Sequence, residues 1–134
     1  MAHLDQPRPR ILIIDDEEST RLLLARMMSE LGADVLLAGT CEQAIRLAEQ
    51  SAYDIVLLDL LMPGVGGLEI LKDIRSGRQN TATPVIVVSV VSDPRTMQEC
   101  RAAGANAYHV KPVRRVELVD EVKKQLEARP VAVK

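Results

Sequence analysis

The chain is predicted to fold as one α/β domain, an open and doubly wound parallel sheet with helices on both faces. Three observations predict it. Five short apolar runs recur at fairly even intervals, helical patterns fill the gaps between them, and four of the five runs are almost continuously aliphatic or β-branched. A strand that is apolar at nearly every position is one covered on both sides, as parallel strands are by their crossover helices. Alternation of strand and helix five times over implies right-handed crossovers within one compact domain.

The elements follow in order. Ile11 to Ile14 is the first strand run, followed by Asp15, Asp16, Glu17 and Glu18. Thr20 to Leu31 carries Leu23, Leu24, Met27, Met28 and Leu31 at helical spacing, and Gly32 ends it. Val35 to Ala38 is the second strand. Thr40 caps the next helix, with Gln43 completing a Thr-x-x-Gln capping box and Ala44, Ile45, Leu47 and Ala48 facing inward. Ile55 to Leu58 is the third strand, and Leu68, Leu71 and Ile74 mark the helix after it, before the polar turn Ser76 to Thr83. Val85 to Val88 is the fourth strand. Asp93 and Pro94 open a helix bearing Met97, Cys100 and Ala103, which Gly104 closes. Ala107 to Val110 is more polar and reads as an edge strand. A last helix from about Arg114 to Glu127 has Val116, Val119, Val122 and Leu126 as its apolar stripe.

Composition narrows the function. With 134 residues there is room for one core. Residues 10–128 are assigned to the domain, 1–9 to a flexible N-terminal tail and 129–134 to a flexible tail or the start of a linker. The only aromatic residues are two tyrosines, so the core is aliphatic and offers little on which a flavin or a nucleobase would stack. A net charge of −2 supplies no global field for nucleic acid or anionic membrane. Cys41 and Cys100 lack CxxC spacing, which suits a reduced setting. The polar N-terminus has no signal-peptide core, and no apolar run approaches the roughly 20 residues of a membrane span. The expectation is a cytoplasmic protein that binds neither membrane nor, directly, nucleic acid.

In such sheets ligands bind beyond the carboxyl ends of the strands. Those ends hold Asp15 and Asp16, then Asp59, then Ser89, then Lys111 followed by Pro112. Each has a bland reading alone: an acidic run favours a helix dipole, a lone Asp or Ser caps a turn, and a lysine is a solvated charge. Together, on four strand ends in this order, they point to a site. If the first and third strands are neighbours, roughly 4.8 Å apart, three carboxylates crowd together at a cost unless a cation neutralises them. Carboxylate oxygens without His or Cys favour Mg²⁺ over zinc. Ser89 and Lys111 suit a phosphoryl group, the one as a hydroxyl and the other as a point charge.

The residues then resemble a known family, the receiver domains of two-component response regulators, from Arg10 to Glu127. The matching pieces are Ile-Leu-Ile-Ile-Asp-Asp-Glu from Ile11, Leu-Leu-Asp-Leu-Leu-Met-Pro-Gly-Val-Gly-Gly-Leu from Leu57, Val-Ile-Val-Val-Ser from Val85 and Val-Lys-Pro from Val110. The resemblance implies a flavodoxin-like (βα)5 fold with strand order 2-1-3-4-5. It makes Asp59 the phosphoacceptor, with Asp16, Asp59 and the backbone carbonyl of Leu61 as Mg²⁺ ligands and Asp15 acting through water. Lys111 would pair with the phosphoryl group, the Lys111–Pro112 peptide would be cis, and Met62, Pro63 and Gly67 would shape the loop after Asp59. Ser89 and Tyr108 would be the switch pair, Tyr108 swinging into space that Ser89 vacates. The donor would be a sensor histidine kinase or a histidine phosphotransfer protein. The output would pass to a downstream protein target or effector domain through the fourth helix, fifth strand and fifth helix, a face that could also form a homodimer. Such a domain catalyses only its own phosphorylation and dephosphorylation and is not a turnover enzyme.

Some positions depart from the family. Val90 is larger than the small residue usual there, which keeps open an alternative, a pseudo-receiver that serves for interaction and does not accept phosphate. Leu61 and Val91 are apolar where the family influences the approach of water, so a long-lived phosphoryl state is expected. A flavin binder is disfavoured by the missing phosphate loop and aromatics. An enzyme working through an aspartyl phosphate often sets a second acid two residues after the nucleophile, and Leu61 stands there. Met27, Met28 and Met97 read as core filler, His109 as a solvated side chain, and Arg114, Arg115, Lys123 and Lys124 as a solvated helix face, one that could join a charged dimer interface with Glu117, Asp120 and Glu121.

Overall fold

The computed structural model of the chain describes residues 7–128. Segments 1–6 and 129–134, within the two stretches assigned to tails, lie outside the described residues. Five strands, β1 (Arg10–Ile14), β2 (Asp34–Ala38), β3 (Ile55–Leu58), β4 (Val85–Ser89) and β5 (Ala107–Val110), alternate with five helices. These are α1 (Glu18–Ser29), α2 (Cys41–Gln50), α3 (Gly67–Ser76), α4 (Pro94–Ala102) and α5 (Arg115–Ala128). The strands are parallel in the order β2-β1-β3-β4-β5, the order the resemblance implies. Pairing starts just ahead of β1, where the Pro9 carbonyl accepts from Asp34 N–H at 2.8 Å.

Successive strand residues point to opposite faces, so the aliphatic runs build two cores at once. Leu12, Ile14, Val56, Leu58, Val85 and Val87 meet α2 and α3 through Ala44, Ala48, Ile70, Leu71 and Ile74. Ile11, Ile13, Ile55, Leu57, Ile86 and Val88 meet α1 and α5 through Leu24, Met27, Met28, Leu118 and Val122. Both predicted core methionines of α1 are buried, while Met97 is half-buried.

Four details differ from the sequence reading. The aliphatic second run predicts a strand covered on both faces, but β2 is an edge strand whose centre is half-exposed, because it has one neighbour. Helix α1 begins two residues before Thr20, since the Asp15 carboxylate accepts from Glu17 N–H at 2.9 Å and starts the turn early. Leu23 is 52% exposed, one step round the helix from buried Leu24. In α5, Val116 is 70% exposed and Leu118 is buried, so the stripe runs through Leu118, Val122 and half-buried Leu126. The spacing of four from Leu118 fits the helix better than the two steps of three that lead from Val116 to Val122. Thr40 caps α2 as expected, accepting from Gln43 N–H at 3.1 Å, but the Gln43 amide oxygen accepts from Gly39 N–H instead of closing the box on Thr40.

Candidate functional site

The sheet register brings the site together. Ile14 is paired with Leu58 in β3 and with Ala38 in β2, so the next residues, Asp15 and Asp59, leave the sheet side by side. Asp59 N–H donates to the Ile14 carbonyl at 2.9 Å and Asp15 N–H to the Ala38 carbonyl at 3.1 Å, extending the ladder by one step under each carboxylate. Ser89 ends β4 opposite Val110, and Lys111 N–H donates to the Ser89 carbonyl at 2.8 Å. Hydrophobic pairing several residues away thus sets the position of every polar group.

Asp15 and Asp59 are buried and Asp16 is exposed, and carboxylate oxygens of all three lie within 4.8 Å of one another. Lys111 Nζ reaches into the group, 2.8 Å from Asp15 Oδ2 and 3.2 Å from Asp59 Oδ2. Burial pulls the Lys111 pKa down, but the hydrogen bond it donates to Asp15 and the charges of Asp59 and Asp15 outweigh it, so the ammonium is held above its ordinary value. One cation faces three carboxylates, which leaves the cluster short of positive charge. Asp15, Asp16, Glu17, Asp59, Leu61, Val90 and Lys111 line an open cavity of about 400 Å³. The donor set is all oxygen, which suits a hard divalent cation.

The loop after Asp59 is built to close around it. Leu61 N–H donates to Asp59 Oδ1 at 3.2 Å, and Gly67 N–H donates to the Leu60 carbonyl at 2.9 Å. A Cβ at Gly67 would lie 2.4 Å from the Asp59 carbonyl oxygen and 2.5 Å from Leu60 Cα. Both are backbone atoms that cannot give way, so this position has room only for glycine. The Lys111–Pro112 peptide is cis.

Ser89 is fully buried. Its Oγ accepts from Val91 N–H at 3.2 Å, and the Val91 carbonyl in turn accepts from the Tyr108 hydroxyl at 2.5 Å. Val91 therefore links the two side chains, its N–H to Ser89 Oγ and its carbonyl to half-buried Tyr108. Burial raises the Tyr108 pKa, so the phenol remains a donor. Leu61 and Val90 flank the cavity at 53% and 56% exposure with apolar side chains.

One prediction is corrected. His109 is not a solvated side chain: it is 18% exposed, and its Nε2 lies 3.5 Å from Glu121 Oε1 on α5. It sits on the α5 side of β5, a face that the polar look of the run concealed. Arg21 was missed altogether; it donates to the Asp15 carbonyl at 2.7 Å. A single arginine inside a helix pattern carries no signal of where its side chain will turn back. The apolar cavity beside the site, lined by Thr20, Leu23, Leu24, Val88, Val90, Lys111, Pro112 and Val113, likewise has no counterpart in the sequence reading.

Among the described residues no helix is long and apolar enough to cross a membrane. A family model described as the response regulator receiver domain matches residues 11–123. The sensory/regulatory protein RpfC of Xanthomonas campestris pv. campestris is 38% identical over 115 residues, covering 83% of this chain and 16% of that protein. The DNA-binding response regulator MtrA of Mycolicibacterium smegmatis is 29% identical over 123 residues, covering 92% of this chain and 53% of that protein. The chain thus spans from about a sixth to about a half of the length of these relatives. Among solved structures, the receiver domain of the sensor histidine kinase PA1611 from Pseudomonas aeruginosa PAO1, crystallised with a magnesium ion coordinated in its active site cleft, superposes with a TM-score of 0.83. It is 27% identical, and the match covers 91% of this chain and all of that one.

Proposed function

The chain belongs to the response regulator receiver domain family, and from that premise we propose that it is a Mg²⁺-dependent switch that accepts a phosphoryl group on Asp59. The observation that carries the reading is the juxtaposition of Asp15, Asp16 and Asp59 within 4.8 Å, with Lys111 bonded to two of them. A Mg²⁺ ion would be held by Asp16, Asp59 and the Leu61 carbonyl, with Asp15 acting through water. When bound it would supply neutralising charge beside the phosphoryl oxygens.

The chain's own groups do the rest. An Asp59 carboxylate oxygen attacks the phosphorus of a phosphohistidine or of a small acyl phosphate. The new O–P bond forms as the P–N or P–O bond to the donor breaks, and the donor leaves with that electron pair. Lys111, already positioned beside Asp59, exchanges a carboxylate contact for one to the phosphoryl group. The added charge and acceptor oxygens draw Ser89 Oγ away from Val91 N–H. Because Val91 also holds the Tyr108 hydroxyl, the change reaches β5 and the surface made by α4, β5 and α5. A sensor histidine kinase or phosphotransfer protein is the proposed donor, and a downstream protein or effector domain the proposed recipient. The same face is the proposed homodimer contact, and the cytoplasm the proposed setting. The domain would catalyse only its own phosphorylation and dephosphorylation.

The test is an intact-mass measurement after incubation with acetyl phosphate. The expected result is a gain of one phosphoryl group with Mg²⁺, absent without the metal and absent in Asp59→Asn. A folded protein that gains no mass from several donors would instead favour the interaction-domain reading, which exposed Val90 at the cavity mouth supports.

A further inference from the structure

We propose that Arg21 is a positioning residue for the acid pair, and that Gly39 is glycine in order to leave room for its guanidinium. The inference rests on the reading of Asp15 and Asp16 as the pair that serves Mg²⁺. Sheet pairing of β1 ends at Ile14, matched to Ala38 on one side and Leu58 on the other, so the Asp15 carbonyl lies beyond the ladder. Asp15 is 1% exposed, and Arg21 Nη1 supplies its carbonyl with a donor at 2.7 Å. The same peptide plane contains the Asp15 carbonyl, the Asp16 nitrogen and the Asp16 Cα. Holding the carbonyl therefore fixes the direction in which Asp16 leaves the backbone. Asp15 needs no such help for its own carboxylate, whose Oδ1 accepts from Glu17 N–H and whose Oδ2 accepts from Lys111. Asp16 is exposed, and its aim depends on the backbone that carries it.

Gly39 gives independent support. Its backbone is outside the positive-φ region that favours glycine, which Gly32, Gly64, Gly66 and Gly104 occupy. Conformation therefore does not require glycine here. An added methyl would instead displace the arginine: a Cβ at position 39 would lie 2.6 Å from Arg21 Nη1 and 3.0 Å from Cζ, so the guanidinium would have to shift. The end of β2 has thus been left bare where the guanidinium crosses it. Arginine suits this role because its planar fork stays charged at all working pH values and fixes the direction of its donors.

The experiment is a Mg²⁺ titration of the unphosphorylated chain, read by calorimetry and by the amide shifts of Asp15 and Asp16. It compares wild type with Arg21→Met, Gly39→Ala and the double variant. Loss of an outer support of metal ligands typically costs 10–100-fold in affinity, so each single variant is expected to raise the Mg²⁺ Kd about tenfold. Because an added methyl would act by displacing the arginine, the double variant should be no worse than Arg21→Met alone. Wild-type affinity and shifts in Arg21→Met would overturn the proposal, as would effects of the two substitutions that multiply. If Arg21→Met does not fold, Gly39→Ala decides alone, since it needs only the end of a flexible side chain to move; an unchanged Kd there overturns the proposal. A wild-type chain without any Mg²⁺ response would instead sink the underlying reading of the acid pair.

Discussion

The ammonium of Lys111 stands beside two carboxylates that are nearly out of water, while the third, Asp16, adds charge from the solvent side. Such a site is held at some cost to the fold, because like charges repel and a single cation cannot serve all three. Asp16→Asn is therefore expected to raise stability by about 1 kcal/mol without metal, on the scale of two charges about 4 Å apart near water, while weakening Mg²⁺ binding. Urea unfolding in chelator checks this, and a lower midpoint for the variant would contradict it. The apolar side chains of Leu61 and Val91 lead to a second expectation. Neither Leu61 nor Val91 can orient an attacking water, so the aspartyl phosphate should persist. Leu61→Asn is expected to speed its loss by up to about a hundredfold, the low end of what a positioned proton acceptor contributes. Decay followed by mass would show this, and equal lifetimes would remove the argument. At this scale the sequence was informative wherever a polar residue closes an apolar run, which is why Asp15, Asp59, Ser89 and Lys111 could be picked out. Arg21 and the His109–Glu121 pair were hidden because their partners are brought near only by the fold.

The elements divide the work between the two ends of the sheet. At the end away from the acid cluster, Arg75 near the close of α3 donates to the carbonyls of Gly104, Asn80, Thr81 and Thr83 and to the Asn106 side chain. It ties the α3–β4 connection to the α4–β5 turn, leaving the loops at the opposite end free to carry chemistry. Arg75→Ala would strand several of these acceptors, and a loss of about 2–3 kcal/mol is expected, the scale of hydrogen bonds made by a charged donor. A urea midpoint within error of wild type would refute it. The α5 stripe gives a paired comparison: Leu118→Ala should cost about 2–5 kcal/mol as a cavity in the core, whereas Val116→Ala should stay within about 0.5 kcal/mol. Elements were legible because five apolar runs leave few other arrangements. Helix phase was not, since an error of two residues keeps a plausible stripe, as at Val116 against Leu118. The burial of β2 was also misjudged, because a run of aliphatic residues looks alike in a central strand and at an edge.

Across the whole molecule, the domain is an aliphatic core on two sides of one sheet, and its titration should reflect what that core surrounds. Tyr53 and Tyr108 are both raised by burial, and Lys111 is raised on balance by its carboxylate partners. Each binds its proton more tightly folded than unfolded, so the stability they contribute is fully present below about pH 10 and is lost as pH rises through the folded values. Because Tyr53 and Tyr108 are the only tyrosines and the chain has no Phe or Trp, tyrosinate absorbance should appear late and together with alkaline unfolding; early, independent ionisation of both phenols would contradict this. In the proposed switch one atom pair reacts, an oxygen of Asp59 and a phosphorus. The most direct measurement is borohydride reduction of the phosphorylated chain followed by peptide sequencing, which converts an aspartyl phosphate to homoserine. Homoserine at position 59 alone, formed only when Mg²⁺ was present during phosphorylation, is the expected result. Phosphate carried at another residue, or at none in a folded chain given Mg²⁺ and a donor, would contradict the account.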